Sequence, residues 1–143
     1  VDLLKFLLPL LAALAAWWLY RRHQVRNRGG LSREDFTAHF VGLGNDADVA
    51  EAVYDWCRVY ARWQEFQPRL DDDLVGVYGL KGKHFDEFMT DVFLFCDLDY
   101  PEEGIRESRR PKIATVSELV PWVQEARAKQ LRSEASSPQS SQP

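Results

Sequence analysis

Residues 78–101, YGLKGKHFDEFMTDVFLFCDLDYP, decide the fold. Phe85, Phe88, Met89, Val92 and Cys96 recur at helical spacing, and Phe93 and Phe95 widen the stripe. Gly79 and Gly82 punctuate the chain before the stripe, and Asp97 to Pro101 end it. A helix with so broad an apolar face must be covered by other helices.

Working outward toward the N-terminus, residues 67–84, QPRLDDDLVGVYGLKGKH, read as a long loop touching the core through Leu74, Val77 and Leu80. Three glycines and the Asp71–Asp73 run argue against a helix there. Before it, Val49, Val53, Trp56, Tyr60 and Trp63 share one face of a longer helix opened by Asp46 or Asp48. Ahead of that, Ser32 precedes Phe36, His39, Phe40 and Leu43, and Gly42, Gly44 and Asn45 close the turn. On the C-terminal side, Arg106, Arg109, Arg110 and Lys112 cluster in an irregular polar stretch, either as a solvated loop or as a lipid-headgroup contact. Thr115 with Glu118 fits a capping box, followed by Val116, Leu119, Val120 and Val123. Pro121 predicts a kink or a late start. No convincing strand is present. The reading is all-α: residues 31–130 form a small bundle of about four helices with one long internal loop, and residues 131–143 form a disordered tail.

Residues 3–20, LLKFLLPLLAALAAWWLY, hold 18 residues of mostly apolar character. This predicts a single transmembrane helix over residues 1–20, with Lys5 snorkelling outward. Trp17, Trp18 and Tyr20 make an aromatic belt, and Arg21, Arg22, Arg26 and Arg28 follow as a cytoplasmic flank. Residues 21–30 read as a basic juxtamembrane linker. One alternative is a cleaved signal peptide, suggested by Ala13-Leu14-Ala15 and opposed by that arginine cluster; the other is a buried or partner-bound helix. The expected placement is single-pass in a bacterial inner membrane, with the C-terminal domain cytoplasmic.

The formal net charge of the 143-residue chain is −4, unevenly spread. Residues 1–20 are neutral, residues 21–30 carry four arginines and no acid, and residues 31–143 hold 13 basic and 21 acidic residues. A domain at −8 excludes nucleic acid as a partner, because phosphate contact needs a basic surface. Two cysteines exclude a disulfide scaffold. His23, His39 and His84 lack neighbours at metal-ligand spacing, and Asp71–Asp73 lacks the calcium-loop pattern. Cys57 and Cys96 lie on or beside apolar stripes, as buried small hydrophobes do. No nucleophile–base pattern stands out. The chain is therefore expected to be a non-enzyme without metal or cofactor.

The order of elements resembles an acyl carrier protein over about residues 49–126. In that family a loop ends in a Leu-Gly-x-Asp-Ser-Leu motif whose Ser opens the next helix and carries phosphopantetheine. Tyr78-Gly79-Leu80-Lys81-Gly82-Lys83 occupies that place here. Cys96 then falls at the family's Phe, Tyr100-Pro101 at its Ile-Pro, and Lys112-Ile113-Ala114-Thr115-Val116 at the start of its last helix. Gly82 stands where the Ser would be, as in an uncharacterised bacterial subgroup of carrier-like proteins, so no arm can attach. The resemblance implies a carrier-like bundle whose acidic helix, with Asp86, Glu87 and Asp91, faces a protein partner with a basic surface. The expected function is a membrane-anchored interaction module touching both the lipid bilayer and that partner. The alternatives are an accessory degenerate carrier subunit of a lipid or polyketide synthesis system, or an immunity-type protein.

Overall fold

The computed structural model describes residues 2–61, 65–101 and 112–137; Trp63, Arg106, Arg109 and Arg110 lie outside them. The described elements are helices: α1 Asp2–Arg26, α2 Arg33–Gly42, α3 Ala47–Ala61, α4 Leu74–Tyr78, α5 Lys83–Phe95 and α6 Val116–Ser136. One isolated bridge, Asp73 to Thr115, is present, and no strand is found among the described residues.

The local signals explain most boundaries. Ser32 caps α2, its Oγ accepting from the Asp35 N–H at 3.1 Å. The capping box opens α6: Glu118 accepts from the Thr115 N–H at 3.1 Å and the Ala114 N–H at 2.6 Å. These bonds hold the Glu118 carboxyl below the usual carboxylate range. α6 starts at Val116 rather than after Pro121, and it runs to Ser136, into the stretch read as tail. There Gln130 pairs with Glu134, and Ser133 and Ser136 bond back to carbonyls of the preceding turn.

The core is one cluster. Phe36 and Phe40 of α2 meet Val49, Val53 and Cys57 of α3. Leu74 of α4, Phe88, Met89 and Val92 of α5, and Val116, Leu119, Val120 and Val123 of α6 complete it. Arg127 ties the two ends of the bundle. It reaches from α6 to Asp46 and Asp48 at the start of α3, and to the Cys96 carbonyl after α5.

Two expectations change. Among the described residues no helix is long and apolar enough to cross a membrane. The uninterrupted apolar run between Lys5 and Arg21 holds 15 residues. At about 1.5 Å per residue it spans about 22 Å, short of a hydrocarbon core of roughly 30 Å. The transmembrane helix, and with it the single-pass inner-membrane placement and cytoplasmic orientation, is therefore corrected. The flanking residues have other neighbours. Arg21 and Arg22 lie over the Trp17 and Trp18 rings at 5.4 and 5.2 Å, one turn back on α1. Tyr20 accepts from Gln24, and Arg22 and Arg26 pair with Glu65 at 3.6 and 3.2 Å. Residues 21–26 of the basic stretch continue α1.

The second change is α4, inside the stretch read as loop. Asp73 caps it by accepting from the Gly76 N–H, and Gly79 closes it in the left-handed conformation at φ 67°. Leu74 buries its side chain, which fastens so short a helix to the core.

Candidate functional site

The chain enters α5 through a tight turn. The His84 N–H donates to the Lys81 carbonyl at 3.2 Å, and Gly82 has φ 58° and ψ −123°. Those angles are the first central position of a type II′ turn, which glycine adopts without steric cost. A Cβ at Gly82 would meet nothing within 4 Å, so backbone angle rather than crowding selects the glycine. Position 82 thus has a backbone that a serine rarely adopts.

Beside this turn lies a groove of about 700 Å³ between α3, α4 and α5. Trp56, Val59 and Val77 give it an apolar wall, Arg21 and His84 stand on its rim, and Glu87 and Asp91 line it from α5. Two of the three expected acids are therefore brought together, and the third is not. Asp86 sits on another side of α5, accepting from Tyr100 Oη at 2.7 Å.

The two acids differ in freedom. Asp91 accepts from Tyr60 Oη at 3.0 Å, which ties α5 to α3. Burial, then that bond, pushes the Tyr60 hydroxyl well above its ordinary range. Glu87 is more exposed. It pairs with His84 at 3.2 Å and Lys83 at 3.4 Å, and the His84 hydrogen bond leads the effects holding it below the usual carboxylate range. The Lys83 ammonium offsets the like-charge spacing of positions 87 and 91. Among the described residues the lining contains no Ser, Thr or Cys, and its tyrosine hydroxyls are committed to carboxylates. The groove is mixed in character, apolar at Trp56, Val59 and Val77 and acidic at Glu87 and Asp91.

The sequence did not reveal the residue behind the groove wall. Asp72, in a run read as solvated, is only 6% exposed. Arg28 Nη2 donates to its Oδ1, the Tyr78 hydroxyl to its Oδ2 at 2.7 Å, and the Arg69 N–H to the same oxygen at 2.9 Å. The Arg28 guanidinium also lies over the Phe66 ring at 4.1 Å. Arg28, expected at a membrane flank, is instead half-buried against the bundle. Spacing along the chain carries no sign of this pair, since 44 positions separate its members. Cys57, buried beside Asp72 and Tyr78, has its thiol pushed far up, by burial first and the Asp72 charge second. Among the described residues no group of three His, Cys, Asp or Glu could hold a metal ion. No protein-family model, curated protein or solved structure matches this chain.

Proposed function

We propose that this chain is a non-enzymatic interaction module, a carrier-like helical bundle that docks a protein partner in the groove beside α5. The observation that carries this reading is the groove itself: Trp56, Val59 and Val77 beside the exposed carboxylate of Glu87. Apolar anchors next to a charged edge are how a protein surface combines affinity with orientation. The partner is one with an apolar segment flanked by a basic residue, drawn also by the charge of −8 carried by residues 31–143. The turn at Gly82 supports a binding rather than a carrier role, because no hydroxyl is presented there.

The test places a photo-crosslinking residue at Val77, on the groove wall, in the otherwise unchanged chain and in a Glu87→Lys variant. One defined adduct should form, weaken with added salt, and be lost in the variant. Equal adducts in both chains, or none in either, would overturn the reading.

A further inference from the structure

The residues between α1 and α2 are stapled to the bundle at several points. The Leu31 N–H donates to the Pro68 carbonyl at 3.0 Å, and the Tyr54 hydroxyl to the Leu31 carbonyl at 3.0 Å. Arg69 reaches the Arg28 carbonyl at 3.4 Å. At Gly30 the backbones come so close that a Cβ would lie 2.0 Å from the Gln67 carbonyl oxygen. The strongest of these ties is electrostatic, Arg28 on Asp72. The same carboxylate holds Tyr78, and Tyr78 belongs to α4 and lines the groove.

We propose that Arg28 is a latch between α1 and the groove: it seats the end of α1 on Asp72, and Asp72 passes that restraint through Tyr78 to the α4 wall. This rests on the groove being the docking site and adds how that site is regulated. A buried carboxylate must stay paired, and breaking such a pair from one side leaves an uncompensated charge. Once Arg28 leaves, the hydrogen bonds to the anion from described residues are those of the Tyr78 hydroxyl and the Arg69 N–H. Water must then enter, and it enters beside α4. α4 is only five residues long: Leu74 and its N–H bond to the Ala114 carbonyl anchor its first residue, and Tyr78 on Asp72 ties down its last. Binding to α1 that turns Arg28 off Asp72 therefore loosens the groove wall. By linkage, an occupant that fixes α4 tightens the latch in return.

Hydrogen exchange on the full chain tests this without any partner. The probes are the amides of Val77, Gly79 and Leu80, which bond within α4 and its cap, and the Leu31 amide. Amides of α6 near Val123 serve as reference. In Arg28→Gln, Leu31 and the α4 amides should exchange at least about tenfold faster while the α6 amides keep their rates. Arg28→Lys keeps the charge but loses the planar stack on Phe66, and should show the same pattern more weakly. If the Gln variant loosens everywhere, the Lys variant decides. Faster exchange at Leu31 with wild-type rates in α4, or no change in either, would overturn the latch. Such a result would leave the crosslinking outcome at Val77 untouched. Failed crosslinking with coupled exchange would retire the groove's partner and keep the coupling.

Discussion

Arg127 on α6 holds Asp48 at the start of α3 with two parallel bonds, Nη1 to Oδ1 at 2.8 Å and Nη2 to Oδ2 at 2.6 Å. This fork joins residues 79 positions apart, and the Arg127 hydrogen bond is the main cause that keeps the Asp48 carboxyl below its usual range. Replacing Arg127 with Met should cost about 1–2 kcal/mol near neutral pH, since an exposed pair and a carbonyl bond are lost together. A group whose folded pKa is depressed stabilises the fold above its unfolded value, about 3.9, and loses that effect as pH falls through the folded value. Denaturant melts of the wild type and the variant should therefore draw closer as the pH falls below about 4, keeping only the smaller gap left by the Cys96 carbonyl bond. A gap that does not narrow at acid pH would show that packing rather than the ion pair holds α6 to α3.

Gly82→Ser should weaken the fold by about 1–2 kcal/mol, because the type II′ turn asks for a positive φ that costs an L-residue roughly that much. The site itself is open, so the variant should still fold. A thermal melt measures the loss. The unaltered chain, incubated with a phosphopantetheinyl transferase and coenzyme A, should keep its intact mass. An adduct of the arm on any residue would overturn the proposed non-carrier role.

Gly30→Ala should be more severe. The added methyl would fall on the Gln67 backbone, which cannot swing aside as a flexible side chain does. Overpacking of this kind costs about 1–3 kcal/mol. The damage should appear first in the amide of Leu31, which bonds to Pro68 next to the clash. Unchanged exchange at Leu31 would mean that the backbones can separate freely there.

Both thiols should be slow toward a disulfide reagent in the folded protein. Cys57 is wholly buried, and burial raises the Cys96 thiol to about 11. At pH 8 a thiol of that pKa is ionised to about one part in a thousand. Denaturant should release two reactive thiols per chain in step with the loss of helical signal. Rapid labelling before unfolding would show that the core opens locally around α5.

The sequence made some of this visible and hid the rest for physical reasons. The α5 stripe of Phe85, Phe88, Met89 and Val92 is buried as its period demands. The caps at Ser32 and Thr115 lie where short-range chemistry puts them. α4 escaped notice because five residues are too few to show a period, although Asp73 three residues before Gly76 and Gly79 beyond it were local marks of its two ends. In the groove, periodicity could say that Asp86, Glu87 and Asp91 point away from the apolar stripe. It could not say that Tyr100 claims Asp86 and Tyr60 claims Asp91, because Tyr60 lies on another helix and Tyr100 returns from the segment beyond the end of α5. The same holds for Arg28 and Asp72. At α1, hydropathy counted Leu3 and Leu4 across Lys5 as part of one span, whereas the uninterrupted run is shorter.

The bridge between Asp73 and Thr115 bears on how the chain finds its fold. The Leu74 N–H meets the Ala114 carbonyl at 2.9 Å, and the Val116 N–H meets the Asp72 carbonyl at 3.1 Å, so this clasp closes a loop of about 40 residues. Bringing such ends together costs on the order of 3 kcal/mol of chain entropy before any contact rewards it. α2 and α3, by contrast, are neighbours in sequence and can pair without waiting. Assembly is thus expected to begin in the α2–α3 hairpin and finish when α6 is clasped. Substitutions at Val53 should then slow folding, while those at Val116 should mainly quicken unfolding, as stopped-flow kinetics would read directly.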